Sequence, residues 1–165
     1  MWIIESCGLV RELRLEAVRK VRAGGGSEAA VIALSEDAWL LGDEEWVKCA
    51  GDAAKLATKV KADEEGRVKS VNLYNCRDMK ELPASVGRLQ ALQSLGLASC
   101  SGLPSLPAEV GSCVKLEKLD LFLCFGLTSL PDLSGLEKLQ VKDLPEAMKP
   151  WEERGRKAFA LPTEG

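Results

Sequence analysis

A chain of 165 residues with 46% apolar and 28% charged side chains has the composition of one soluble globular domain with a core of its own. Its net charge of −3 lacks the basic stripe of a nucleic-acid binder, and no apolar run approaches a membrane span. Histidine is absent, which removes Ser-His and Cys-His nucleophile pairs and every histidine-bearing zinc site.

The chain opens on the apolar stretch Met1-Trp2-Ile3-Ile4, but Glu5 follows at once and no basic residue precedes it, which speaks against a secretory signal. Val10, Leu13, Ala17 and Val21 recur at helical spacing, so residues 1–22 are expected to form an N-terminal amphipathic helix. Arg19, Lys20 and Arg22 close it, where cations complement the helix dipole. That basic end reads as a solvated face; the alternative, an anionic membrane or partner surface, is diluted by Glu12 and Glu16. Residues 23–27 form a glycine-rich joint, Ala23-Gly24-Gly25-Gly26-Ser27, which leaves the first helix free to be a separate piece. The joint is not a phosphate-binding loop, because no strand precedes it and no lysine precedes Ser27.

Ser27-Glu28 caps a second helix expected to run through Leu34. A third is expected from Asp43 to Lys61, with Trp46, Ala50, Ala53 or Ala54, and Ala57 on one face. Asp43-Glu44-Glu45 marks its start, where acids favour the dipole. Residues 28–66 are therefore expected to be a helical cap over the apolar residues Val68, Val71 and Leu73.

From Val68 onward the chain repeats itself at an offset of 24 residues. Val71-x-Leu73-x-x-Cys76-x-x-Met79-x-x-Leu82-Pro83 returns as Leu95-x-Leu97-x-x-Cys100-x-x-Leu103-x-x-Leu106-Pro107. It returns again as Leu119-x-Leu121-x-x-Cys124-x-x-Leu127-x-x-Leu130-Pro131. A degraded fourth copy follows as Leu133-x-x-Leu136-x-x-Leu139-x-Val141. The alternation Leu-x-Leu has the period of a strand, so the leucines share one face and their neighbours the other. Proline after the later leucine, with its fixed φ and no N–H, suits an irregular return segment. Val86-Gly87-x-Leu89 and Val110-Gly111 read as a short helix or 3₁₀ turn within it. A unit of this length cannot bury its apolar face alone, so the copies must stack.

With these residues in hand, the stretch 67–141 resembles leucine-rich repeats of the intracellular, plant disease-resistance-like, cysteine-containing kind, three full and one partial. The generic pattern places Asn or Cys one residue before the next leucine; here two residues intervene, in all three units. Asp63-Glu64-Glu65-Gly66-Arg67-Val68 is also similar to the turn that begins the first strand in such proteins. The resemblance implies an α/β fold: a short solenoid with parallel strands on a concave face, a helical, 3₁₀ or irregular convex side, and a helical N-terminal cap. Residues 142–165 would be a C-terminal cap and tail, with Pro145, Pro150, Trp151 and Phe159 closing the last unit.

On that concave face the outward positions form three columns: Ser70, Ser94 and Lys118; Asn72, Gly96 and Asp120; Tyr74, Ala98 and Phe122. Two aromatic rings beside polar groups, with small residues between them, have the make-up of an interface hot spot. Tyr74, Asp120 and Phe122 are expected to carry most of the contact with a partner protein. Cys76, Cys100 and Cys124 fill one column, an odd number without clustered cysteines at either end, so they read as buried thiols in a reducing, cytoplasmic setting. Strand-like spacing in a column does not converge on a zinc ion, so no metal or cofactor is expected.

The reading is thus a non-catalytic protein-binding module in signalling or scaffolding, with no nucleic acid and no membrane span. An alternative is the recognition or regulatory part of a larger immune-receptor-like or GTPase-linked protein. A third, an enzyme site in the N-terminal helices, has only Cys7 and Cys49 to offer, with no base beside them.

Overall fold

In the computed structural model, which describes residues 2–162 and the side chains of 11–162, the helices come first. Helix α1 (Trp2–Ala23) is followed by α2 (Glu28–Ile32), a 3₁₀ turn at Ala38–Gly42, α3 (Glu44–Ala50) and α4 (Ala53–Thr58). Strand β1 (Val60–Ala62) then pairs antiparallel with β2 (Val68–Asn72). Strands β3 (Ser94–Gly96) and β4 (Lys118–Asp120) add to β2 in parallel. After the two-residue β5 (Ser129–Leu130), β6 (Gln140–Lys142) completes a five-stranded sheet in the order β1-β2-β3-β4-β6. Helix α5 (Lys149–Glu153) and β7 (Phe159–Ala160) end the described chain, and β7 pairs with β5. The fold is therefore mixed α/β around a largely parallel sheet.

The repeat sets the register. Val71, Leu95 and Leu119 pair in one line across β2, β3 and β4, each 24 residues after the last, and Val141 of β6 continues the line after 22. The two missing residues come out of the return segment. Units one and two carry 3₁₀ helices at Ala84–Arg88 and Ala108–Ser112, each opened by proline, whereas residues 132–138 form only turns. Pro83 (φ −58°) and Pro107 (φ −66°) sit in the extended region that launches these turns. Leu73, Leu97 and Leu121 are fully buried, as are Leu92, Leu95 and Leu119. One continuous core runs from Val31 and Trp46 at the helical end to Trp151 at the other.

The N-terminal region departs from expectation in three ways. First, there is no helix from Asp43 to Lys61. Gly51 (φ 102°) takes a conformation that ends α3, and Asp52 starts α4 afresh by accepting from the Lys55 N–H at 2.8 Å. Trp46, Ala50 and Leu56 are buried while Ala53 and Ala54 are exposed. Second, residues 60–62 are a strand, not helix: Val60 and Ala62 point into the core and Lys61 away from it. The cap over residues 68–73 is therefore a hairpin strand backed by helices. Its turn is fixed by Asp63, which accepts from the N–H groups of Glu65 (2.9 Å) and Arg67 (3.0 Å).

Third, α1 lies against the body. Among its described side chains the buried one is Val18, flanked by Leu15 and Val21; Leu13 is 58% exposed, and the Val10 and Cys7 side chains fall outside those described. Arg22 donates to the carbonyls of Ala62 and Asp63, and Arg11 pairs with Glu65 at 2.7 Å. The spacing through Leu13 and Ala17 thus misplaces the packed stripe by part of a turn, because the hairpin it meets is not legible from the helix. The caps on Ser27 and Asp43 form as expected, although α2 ends at Ile32.

One buried acid is tied to the start of the sheet. Asp37 is 3% exposed, and its carboxylate accepts from the Val68 N–H at 2.8 Å. Burial pushes its pKa up, against the pull of that N–H, with Glu36 adding to the rise. Because the folded pKa exceeds the unfolded one, stability gained from protonation is full below the ordinary carboxylate pKa and is lost as pH rises through the raised value. Asp37→Asn, which keeps an acceptor for Val68 without the buried charge, is expected to be at least as stable as the native chain near neutrality and to flatten this pH dependence. Asp37→Ala orphans the N–H and is expected to cost about 1–3 kcal/mol. Urea unfolding of the three proteins between about pH 4 and pH 7 checks both statements.

Candidate binding face

Strand alternation places the side chains of Ser70, Asn72, Ser94, Lys118 and Asp120, and the bare position Gly96, on the side of the sheet away from the core. Register aligns them as anticipated: Ser70 with Ser94 and Lys118, and Asn72 with Gly96 and Asp120. The third column lies just beyond the strands and is kept in line by backbone bonds, Asn75 N–H to the Ala98 carbonyl (2.8 Å) and Ser99 N–H to the Phe122 carbonyl (2.7 Å). Tyr74 and Phe122 are 57% and 46% exposed, and Ala98 between them is 7% exposed. The middle of this column is therefore a buried step between two open rings.

Asn72 and Asp120 prove to be structural partners of those rings. The Asn72 side-chain oxygen accepts from the Tyr74 N–H at 3.1 Å, and Asp120 accepts from the Phe122 N–H at 3.0 Å. Each closes a local turn that holds the aromatic residue off the strand end. Gly96 makes room for this: a Cβ there would come within 2.8 Å of the Asn72 oxygen. Next in each unit comes a residue in the left-handed region, Asn75 (φ 63°), Ser99 (φ 62°) or Leu123 (φ 58°), which turns the chain from the sheet toward the return segment.

The cysteine column has a further role. Cys100 donates its thiol proton to the Leu73 carbonyl at 3.0 Å, and Cys124 to that of Leu97 at 2.9 Å. Each thiol thus bonds a main-chain oxygen of the preceding unit. Burial pushes the Cys100 thiol up to about 12, which keeps its proton in place. Cys113, which falls outside the motif, does the same on the return side, donating to Val86 at 3.2 Å. Cys76, Cys100 and Cys124 are all free thiols, with Cys76 half-buried because no parallel unit precedes it.

Two exposed apolar residues beside Phe122 were not singled out from the sequence: Leu123 (39% exposed) and Phe125 (75%). Their signal was available, since the equivalent positions hold Asn75 and Ser99, and Arg77 and Ser101. With Phe122 they form an apolar rim on one loop.

Elsewhere, a cleft of about 670 Å³ lies between α1 and the hairpin, and two of its ion pairs, Arg11 with Glu65 and Arg67 with Asp63 (3.2 Å), tie up part of its charge. Cys49 borders a hollow of about 320 Å³ beside Met79 and Glu81. Its thiol donates to the Glu81 carbonyl, and burial pushes its pKa to about 11, opposite to what a nucleophile requires. Among the described residues no cluster is arranged to hold a metal ion, and no helix is long and apolar enough to cross a membrane. No protein-family model, curated protein or solved structure matches this chain.

Proposed function

We propose that the stacked units are leucine-rich repeats forming a short solenoid, and that the chain is a non-catalytic, cytoplasmic module that binds a partner protein through its concave strand face. What carries this reading is the pair Tyr74 and Phe122, two half-open aromatic rings mounted at equivalent positions two strands apart. Both are held by side-chain-capped turns on a sheet whose underside is solid core, so little conformational entropy is lost when they are covered. Phe125 and Leu123 enlarge the apolar area at the Phe122 end. The bond pattern of the cysteines, each spanning from one unit to the one before, supports the repeat assignment. Burial and the neighbouring carboxylates of Glu45, Asp43 and Glu81 hold the Cys49 thiol protonated, so it is not poised as a nucleophile.

The test is affinity capture from native cytosol with the wild-type chain and a Tyr74→Ala/Phe122→Ala variant whose circular dichroism matches it. Specific partners retained by the first should be lost or at least tenfold depleted with the second, the scale of two hot-spot truncations. Equal capture by both proteins overturns the assignment of the face.

A further inference from the structure

Resting on the protein-binding reading above, we propose that the partner presents an extended acidic segment to the outward sheet face, with two carboxylates about four residues apart. The strand β1 widens that face beyond the repeated units. Lys61 lies opposite Ser70, so one line across the sheet reads Lys61, Ser70, Ser94, Lys118, Gln140. Lys142 stands in the neighbouring line opposite Asp120. On these two lines three lysines stand against one aspartate, opposite in sign to the chain's net charge of −3.

Asp120 pairs closely with none of these lysines. One of its oxygens is engaged by the Phe122 N–H, and the other is 4.0 Å from the Lys142 ammonium, whose side chain is 72% exposed. The contact of Lys142 with Asp143 is similarly long, 3.9 Å. Exposed pairs at such distances hold their partners weakly, so Lys142 is free to turn toward an incoming carboxylate. The other nearby acids are Glu117 and Glu137, which border a hollow with Lys118 and Lys138 at one end of the strands, and Asp143 beside Lys142 at the other.

Between the lysines the surface is neutral and low, made by Ser70, Ser94 and Gly96, which suits a main chain lying across the strands. Lys61 and Lys118 are three strands apart, about 14 Å at ~4.8 Å per strand, a span covered by about four residues of extended chain. Tyr74 and Phe122 flank the same face and would cover apolar side chains of the partner. A nucleic acid is a poorer fit, because its continuous phosphate charge calls for a basic stripe, and serine and glycine occupy the middle of this one.

The experiment titrates the isotopically labelled full chain, followed by amide chemical shifts, with three probes. The first is a twelve-residue peptide with two glutamates four apart and a leucine between them. The second replaces the glutamates by glutamines, and the third is a single-stranded oligonucleotide of similar length. The acidic peptide is expected to move the amides of Ser70, Ser94, Gly96 and Lys118 and to weaken as salt rises. Its affinity should fall about tenfold on loss of its two charges, and equally with the Lys61→Gln/Lys118→Gln variant, whose substitutions are exposed and leave the core intact. Equal binding of the glutamine peptide at the same amides overturns the acidic preference and leaves the protein-binding reading standing. Tighter binding of the oligonucleotide, or no shift on the sheet from either peptide, also overturns it; the capture experiment on Tyr74 and Phe122 decides the broader reading separately.

Discussion

Replacing Leu97 by alanine is expected to cost about 2–5 kcal/mol, the usual range for truncating a fully buried leucine. Leu97 occupies the middle of the line Leu73, Leu97, Leu121, so the cavity opens between units and neither neighbour can relax into it from solvent. Domain stabilities are typically about 5–15 kcal/mol, and in a stack each unit leans on the next, so a break in the middle weakens both halves. Urea unfolding followed by circular dichroism should show a large drop in midpoint. Val114→Ala, at a side chain 70% exposed, serves as control and should change stability by no more than about 0.5 kcal/mol. A Leu97→Ala midpoint equal to that of the control would contradict the buried assignment.

Trp151→Ala is expected to be at least as damaging, about 3–5 kcal/mol, but its effect should be local at first. The indole is fully buried over the last unit, and its N–H donates to the Pro131 carbonyl at 2.9 Å. Truncation removes the lid from Leu133, Leu136 and Leu139 and leaves that carbonyl without its donor. Amide hydrogen exchange should therefore lose protection across residues 133–160 while β2 and β3 keep theirs. Trp151→Phe restores most of the volume without the N–H and should recover the greater part of the loss. Uniform loss of protection along the chain would show that α5 is not a cap specific to the last unit.

The two substitutions probe features of different legibility. The line through Leu97 is written in the sequence, because a 24-residue recurrence in parallel strands admits one stacking register, and Val71, Leu95 and Leu119 fall into it. The columns Ser70-Ser94-Lys118 and Asn72-Gly96-Asp120 follow from the same register with no further information. Closure by Trp151 was suggested by bulky residues after the leucines stop, but its bond to Pro131 was not.

The N-terminal region was harder to read for a physical reason. Alanines and lysines between Asp52 and Ala62 suit a helix by intrinsic preference, so only the unpaired edge of β2 decides that Val60–Ala62 becomes a strand. The same holds for Val18, whose burial depends on a hairpin that no pattern within α1 reveals. Lys61 joined the outward face for this reason alone.

What the sequence determined by itself was everything that repeats: strand positions, their order, the buried leucines and the aligned outward residues. A periodic pattern states its own neighbours. What only the tertiary structure decided was everything that occurs once: the added edge strand, the docking face of α1, and the use of Asn72 and Asp120 to brace Tyr74 and Phe122. Such features are settled by contacts between segments far apart in the chain, where local preference is weak and burial chooses.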